Sequence, residues 1–200
     1  MPRFLHVGCG VKRKSHTVKA FRSPDWDEVT LDIDAAVAPD IVDKLPDLQS
    51  VESESFDAVY SAHNIEHLYP HEVPLALSAF YRVLKPNGVA IITCPDIQSI
   101  GERIAAGALD QPIYESPLGP VAPLDMLYGF RPALREGNLY MAHHTGFTLS
   151  SLRNACKGAG FTGFVGRRRP ARHDLWALLT KDARDERELR EKAAYLLQPV

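Results

Sequence analysis

The sequence predicts an α/β protein with a parallel sheet and helices on both of its faces. Segments typical of strands alternate with segments of helical spacing through the first half of the chain, and this alternation favours parallel strands joined by helical crossovers. The first apolar segment runs directly into a turn with Gly8 and Gly10, and the second ends in Asp32 and Asp34, about twenty residues further on. Nucleotide-binding α/β units place a glycine loop and a ribose-binding carboxylate at this spacing.

Composition and charge narrow the class of protein. The chain has 200 residues, of which 45% are hydrophobic and 24% charged, and this fits one globular domain over residues 1–200. A formal net charge of -2 indicates no general attraction to nucleic acid. No apolar run approaches the ~20 residues of a membrane-spanning helix, and a first strand at residue 4 leaves no room for a signal peptide. We therefore expect a cytoplasmic monomer or homodimer without a membrane or nucleic-acid partner.

Apolar and turn-forming residues predict the elements of the first half in order. A first strand is expected at 4–7 and a second that ends at 31–34, with room for at most a short helix between them. A brief third strand is predicted at 40–46 and a fourth at 56–61, which is rich in β-forming residues. Apolar residues at helical spacing then predict a helix over 73–84.

The sheet is expected to continue after this helix and then to be interrupted. The helix should stop at the turn 86–88 and lead into a buried strand at 89–94. The Pro- and Gly-rich stretch 106–146 breaks the alternation, and a connection this long in a compact domain is usually a lid or a binding segment. Tyr128 and Arg131 within it are candidate contacts for a substrate.

The C-terminal part of the chain predicts a helix, a hairpin and a second helix. Thr148 is suited to cap the first of these helices. Two strands at 161–165 and 175–180 are expected to form an antiparallel hairpin, joined by the basic segment 167–172. Charges spaced for i,i+4 pairing and an apolar stripe predict a surface or dimer-contact helix at about 182–197.

Several motifs, taken together and in order, resemble those of class I S-adenosylmethionine-dependent methyltransferases, of the small-molecule, type 11-like kind. They are the segments 5–10, 31–34, 56–59, 66–68, 82–88, 144–148 and 158–161. This resemblance spans roughly residues 4 to 165. It implies a Rossmann-like three-layer sandwich, with a seven-stranded, mostly parallel sheet whose last strand is antiparallel. It also implies an enzyme that moves a methyl group from S-adenosylmethionine to an oxygen, nitrogen or carbon nucleophile.

The resemblance also implies which residues bind the cofactor. Gly8 and Gly10 would pass under its methionine portion, and Asp32 would accept hydrogen bonds from both ribose hydroxyls. The adenine would lie near Asp43, and the sulfur would lie near His63. The full implied set is Val7, Gly8, Cys9, Gly10, Asp32, Ile33, Asp43, Lys44, Leu45, Ala62 and His63.

Two positions depart from the family pattern. His6 stands where members commonly carry an acid, and Lys12 stands where they commonly carry a third glycine. These departures keep open a second hypothesis, in which the chain binds the cofactor or a partner without catalysis. A hydride-transfer dehydrogenase is a poorer match, because its fingerprint requires a glycine at the position of Arg13.

Histidines are the candidate catalytic residues. A hydroxyl nucleophile needs a base, and histidine, with an unperturbed pKa of about 6.5, is suited to that task. We assign this role to His63, His143 or His144. Since the acceptor must lie beside the base, we also assign Glu66 and His67 to substrate binding.

The same residues also suggest a metal site. His63, Glu66 and His67 share one helical face, and with His143 or His144 they are similar to the set that holds a divalent ion in small-RNA 2′-O-methyltransferases. The interpretation favoured by the sequence is that Glu66 and His67 hold the local turn through hydrogen bonds and that no metal is bound.

The sequence restricts the acceptor only loosely. Lys12, Arg13 and Lys14 lie beside the expected cofactor site, which makes a small anionic acceptor one candidate. The aromatic residues of the insertion are suited to a sugar-like acceptor, which is the other candidate.

Overall fold

The computed structural model describes residues 1–198, so the last two residues of the expected domain lie outside the described residues. Its main feature is a seven-stranded sheet in the order β3-β2-β1-β4-β5-β9-β8. The strands are β1 (Arg3–Val7), β2 (Asp27–Asp32), β3 (Ile41–Val42), β4 (Phe56–Ala62), β5 (Leu84–Pro95), β8 (Gly163–Arg169) and β9 (Asp174–Thr180), while β6 (Tyr114–Ser116) and β7 (Gly119–Val121) form a separate hairpin. Strands β1 to β5 pair in parallel, and β9 runs antiparallel to β5 and β8.

Helices cover both faces of this sheet. The α-helices are α1 (Val73–Val83), α2 (Ile97–Ala105), α3 (Pro123–Tyr128), α4 (Arg131–Arg135), α5 (Leu149–Gly158) and α6 (Glu186–Leu196). Leu77 of α1 and Leu152 of α5 belong to the core on one face, and Leu189 of α6 belongs to the core on the other. The three-layer α/β fold expected from the alternation of segments is therefore confirmed.

Successive residues of a strand belong alternately to these two cores. In β1, Phe4 belongs to one core and Leu5 to the other, and in β5 Ile91 and Ile92 divide in the same way. Successive side chains of a strand point to opposite faces of the sheet, so a strand covered on both sides has apolar residues at every position. This explains why the central strands β5 and β9 contain long apolar runs in the sequence.

Two strands differ from the sequence prediction. The third is only two residues long, since Ile41–Val42 alone pairs with β2. The fifth begins directly after α1, and its register with β4 shifts from Phe56 opposite Leu84 to Ala58 opposite Val89. The predicted turn 86–88 is therefore an irregularity inside β5, where the extra residues leave the ladder as in a bulge.

The basic segment 167–172 was expected to connect the last two strands, but only its second half, residues 170–172, lies in that connection. Its first three arginines belong to β8, and two of them bind buried acids. Nε of Arg168 lies 2.6 Å from Oδ2 of the fully buried Asp96, and Arg169 forms an ion pair with the buried Asp174. These two arginines neutralise buried carboxylates, so the segment does not form a solvated basic surface.

The insertion contains regular secondary structure, and the last helix packs against the sheet. The stretch 106–146 holds the β6–β7 hairpin, α3 and α4, and Ile100, Val121 and Met126 form a small core beneath it. The apolar stripe of α6 is buried within the chain's own core, so that face is not a dimer contact.

Among residues 1–198, no helix has the length and apolar character needed to cross a membrane.

Strand β1 carries a buried histidine at one of the two positions that depart from the family pattern. The side chain of His6 is almost fully buried, and its Nδ1 lies 2.8 Å from Oε1 of Glu28 on β2. Burial lowers the pKa of His6 below its usual value, and the attraction of Glu28 offsets this only in part. His6 is therefore held in the neutral form inside the sheet.

This burial predicts a pH dependence of stability. In the unfolded chain His6 takes up a proton near its unperturbed pKa of about 6.5. In the folded chain burial disfavours this protonation. The free energy of unfolding should therefore fall as the pH drops below about 6.5. Urea unfolding at about pH 8 and about pH 5.5 measures this effect. Because His143 and His173 also have pKa values lowered by burial, the test compares wild type with His6→Gln. The variant should lose less stability at the lower pH, and an equal loss would contradict the prediction.

Candidate active site

A cavity of about 350 Å³ opens at the carboxyl ends of the parallel strands. Open α/β sheets bind ligands at this edge, and ligand pockets commonly span about 300–1,000 Å³. Nine of the eleven residues that the sequence analysis assigned to the cofactor line this cavity: Val7, Gly8, Gly10, Asp32, Ile33, Asp43, Lys44, Leu45 and His63.

The two glycines of the turn after β1 have different roles. Both have positive φ angles, +66° at Gly8 and +52° at Gly10. A Cβ at Gly8 would lie 2.4 Å from Cγ of Asn64, whereas a Cβ at Gly10 would meet nothing within 4 Å in the part of the chain that the structure describes. Gly8 is therefore needed for packing, and Gly10 keeps space open in the cavity.

This difference predicts separable effects of two alanine substitutions. Gly8→Ala should lower the free energy of unfolding by more than about 2 kcal/mol, since it combines an unfavourable φ with a steric overlap. Gly10→Ala carries only the cost of the positive φ, about 1–2 kcal/mol, but its methyl group enters the cavity. We expect it to weaken S-adenosylhomocysteine binding about 10-fold or more in calorimetry, while urea unfolding ranks Gly8→Ala as the less stable variant. The opposite ranking would contradict the assignment.

Two carboxylates hold the loops that surround the cavity. Asp32 at the end of β2 accepts hydrogen bonds from the backbone N–H of Gly10 at 2.7 Å and of Asp34 at 3.0 Å. Asp43 accepts from the backbone N–H of Lys44 and of Ser50, both at 2.7 Å. A carboxylate offers about four lone-pair sites, so each of these acids can still accept hydrogen bonds from a ligand.

Cys9 and Ala62 do not line the cavity, in contrast to the other implied residues. The thiol of Cys9 is buried, which raises its pKa to about 11, and it donates to the carbonyl of Gly10 at 3.4 Å. Ala62 packs against the core that contains Phe4. Both residues therefore support the wall of the cavity from behind.

Three histidines line the other side of the cavity, namely His63, His67 and His144. His63 follows β4 with a φ of +53°, and its backbone N–H donates to the carbonyl of Thr93 at 2.9 Å. Its side chain is 42% exposed. The ring of His144 stacks on Tyr69 with centroids 4.2 Å apart. Of the three candidate bases, His63 and His144 thus reach the cavity.

Behind this wall lie Glu66 and His143. Nδ1 of His63 lies 3.3 Å from Oε1 of Glu66, whose side chain is 1% exposed. Burial by itself raises the pKa of the Glu66 carboxyl. The neighbouring histidines lower it by more than this, with His63 contributing most, so the pKa lies below its usual value. His143 is the third candidate base, and burial lowers its pKa.

The expected hydrogen bonds of the 66–67 turn are present in part. Nδ1 of His67 lies 3.0 Å from the carbonyl of Ala142. The carboxylate of Glu66 has no hydrogen-bond partner among the described residues, so this side chain does not hold the turn. The backbone carbonyl of Glu66 does so instead, since it accepts from the N–H of His144 at 2.9 Å.

The structure does not bring the other predicted contacts to the cavity. Arg131 binds the buried Asp125, with Nε 2.7 Å from Oδ1, and Tyr128 is 62% exposed outside the cavity. Two of the basic residues near the glycine turn also form hydrogen bonds within the chain. Arg13 donates to the carbonyl of Gly10 at 2.9 Å, and Lys14 donates to that of Trp26.

Sequence reasoning missed several lining residues. Asn64 follows His63 directly, and its side chain lies against Gly8. Four others come from the insertion, where they precede and form the short 3-10 helix Leu139–Met141, and they are Asn138, Leu139, Tyr140 and Met141. No local pattern marks these four residues, since their position depends on how the insertion folds back over the sheet.

Comparisons with known proteins agree with this architecture. Residues 5–92 match a family model described as a methyltransferase domain. The search of curated proteins gave no match. The PH0226 protein of Pyrococcus horikoshii OT3 is 16% identical, and the match covers 90% of this chain and 82% of that one with a TM-score of 0.61.

Two further solved structures are methyltransferases by their descriptions. The 1,6-didemethyltoxoflavin-N1-methyltransferase of Burkholderia thailandensis, solved with 1,6-didemethyltoxoflavin and S-adenosylhomocysteine, is 18% identical, with 91% and 72% of the two chains covered and a TM-score of 0.59. An S-adenosylmethionine-dependent methyltransferase of Archaeoglobus fulgidus is 14% identical, with 89% and 85% covered and a TM-score of 0.58. At such identities the likeness to these structures shows a shared fold.

Proposed function

We propose that the chain is a class I S-adenosylmethionine-dependent methyltransferase that methylates a hydroxyl group of a small, sugar-like acceptor. The observation that carries this proposal is the composition of the cavity, where the glycine turn and Asp32 line one part and His63, His67 and His144 line another. One part is suited to the cofactor, and the other offers bases and hydrogen-bonding groups to an acceptor.

The residues of the cavity fit the cofactor. Gly10 leaves open space beside Asp32, whose carboxylate retains acceptor sites for the two hydroxyls of a ribose. We assign the methionine portion to the turn with Gly8 and Gly10, and the adenine to the loop with Asp43 and Leu45. S-adenosylmethionine supplies, when bound, a methyl group that its sulfonium has already activated. The protein's main task is then to position the acceptor, which contributes up to about 7–11 kcal/mol of barrier lowering.

His63 is suited to take the proton of the acceptor hydroxyl. The carboxylate of Glu66, 3.3 Å from Nδ1, favours the tautomer that carries a proton on this nitrogen, so Nε2 is left to accept. The ring is partly exposed to the cavity, and a positioned base of this kind contributes about 10²- to 10⁴-fold. His144, stacked on Tyr69, is placed to contact the acceptor.

The charges around the cavity favour a hydroxylated acceptor over an anionic one. The residues that suggested an anionic compound are Lys12, Arg13 and Lys14; the last two donate to backbone carbonyls, and none of the three lines the cavity. The polar side chains that line the cavity near the histidines include Asn64, Asn138 and Tyr140, which are neutral and can both donate and accept hydrogen bonds. Because two of them come from the insertion, this segment supports the role of a lid.

Transfer of a labelled methyl group tests the proposal. The purified protein is incubated with methyl-labelled S-adenosylmethionine and, separately, with the small-molecule, RNA and protein fractions of a cell extract. We expect label in the small-molecule fraction, in a product stable to mild alkali as an ether is. Label in RNA or protein would contradict the acceptor class. Cofactor binding without transfer to any fraction would instead support a non-catalytic binding module.

A further inference from the structure

Three side chains beside the cavity place possible metal-ligand atoms close together. One carboxylate oxygen of Glu66 and one ring nitrogen each of His67 and His143 all lie within 4.8 Å of one another. The rings of the two histidines contact edge to face, with centroids 4.8 Å apart. These residues come from the turn after β4 and from the end of the insertion, so the fold assembles a cluster that is dispersed in the sequence.

Backbone carbonyls determine the tautomers of both histidines. Nδ1 of His67 lies 3.0 Å from the carbonyl oxygen of Ala142, and Nδ1 of His143 lies 2.9 Å from that of Met126. A carbonyl oxygen only accepts hydrogen bonds, so each Nδ1 carries a proton, and in the neutral ring this leaves the lone pair on Nε2. Metal-binding histidines are oriented in this way by hydrogen bonds from the other ring nitrogen.

The buried carboxylate of Glu66 has a close polar neighbour, Nδ1 of His63 at 3.3 Å from Oε1, and this contact does not have hydrogen-bond geometry. The carboxylate is 1% exposed, and neither of its oxygens has a hydrogen-bond partner among residues 1–198. A buried carboxylate without a hydrogen-bond partner is strongly unfavourable, and a cation bound beside it would compensate for this cost.

We propose that Glu66, His67 and His143 bind a divalent transition-metal ion of the zinc type. Imidazole nitrogen and carboxylate oxygen are both zinc ligands, and three protein ligands are typical of sites that keep a position open. This revises the interpretation that the sequence alone favoured, because the expected hydrogen bonds of Glu66 are absent from the described part of the chain. His67 also lines the cavity, so the ion would adjoin the acceptor. Only this last point rests on the proposed function.

Direct metal binding tests the site without any measurement of activity. Protein freed of metal by chelator is titrated with Zn²⁺ in a calorimeter and with Co²⁺ in a spectrophotometer, where visible bands report the coordination of the ion. We expect one equivalent of either ion per chain. Glu66→Gln and His143→Gln should weaken Zn²⁺ binding about 100-fold or more, since each removes a ligand. His71→Gln, at an exposed histidine outside the cluster, is the matched control and should bind as wild type does.

The outcomes separate this inference from the proposed function. No binding by the wild-type protein up to millimolar Zn²⁺, or equal binding by wild type and both ligand variants, would overturn the site. The thermal unfolding midpoint of the metal-free variants shows that they are folded, and Zn²⁺ should raise it only in the wild type and in His71→Gln. S-adenosylhomocysteine affinity, measured on the same samples without metal, tests the cofactor site independently.

Discussion

Asp32→Ala is expected to weaken the binding of S-adenosylmethionine at least about 100-fold. A hydrogen bond to a charged group contributes about 1.5–3 kcal/mol, and the carboxylate is assigned two such bonds to the ribose, while every 1.4 kcal/mol is about tenfold in affinity. The substitution also removes the acceptor for the backbone N–H of Gly10 and of Asp34, which loosens the glycine turn. Isothermal titration calorimetry with S-adenosylhomocysteine measures the loss.

Two control variants on β2 separate the loss of the Asp32 charge from a change in the shape of its side chain. Asp27→Ala removes an exposed acid at the other end of β2 and should leave the affinity unchanged. Asp32→Asn keeps the size of the side chain but loses the charge and one acceptor, so its affinity should fall between wild type and Asp32→Ala. If Asp32→Ala binds as tightly as Asp27→Ala, the carboxylate does not hold the cofactor and the assignment of the cavity is wrong.

His63→Asn is expected to lower kcat about 10²- to 10⁴-fold and to leave cofactor affinity nearly unchanged. The ring is assigned as the base for the acceptor hydroxyl, and loss of such a base has this magnitude. Asparagine is the better replacement because it tolerates positive φ, and His63 has a φ of +53°. Alanine at this position would add backbone strain to the loss of the ring.

Steady-state kinetics and calorimetry on the same protein test this assignment. His16→Asn, at an exposed histidine that does not belong to the cavity lining, is the control for a surface substitution. An equal loss of kcat and cofactor affinity would show that His63 acts through the structure of the turn.

These two predictions depend on residues that the sequence already indicated. Asp32 and His63 each follow a parallel strand, and the apolar pattern of those strands is visible along the chain. The carboxyl ends of parallel strands lie along the same side of a sheet, so residues at or just after those ends lie close together. The glycine turn and the acids after β2 could therefore be assigned to one site from the sequence alone.

Other assignments failed because they required long-range information. Arg131 looked free to bind a substrate, but in the fold it neutralises Asp125, and Arg168 likewise neutralises the buried Asp96. Local sequence does not distinguish a charged residue that faces solvent from one that faces a buried partner. Burial decides between these cases, and burial is a property of the assembled chain.

Local sequence was sufficient for the alternating elements and for the side of the cavity that the glycine turn and Asp32 line. The reason is that strand and helix periodicity, glycine turns and caps all act over a few neighbouring residues. The side that the histidines line was decided only when the insertion folded over the sheet and brought Tyr140 to the cavity and His143 to Glu66. Those contacts join residues about 75 positions apart, as between His67 and Ala142, and depend on chain packing that no local pattern encodes.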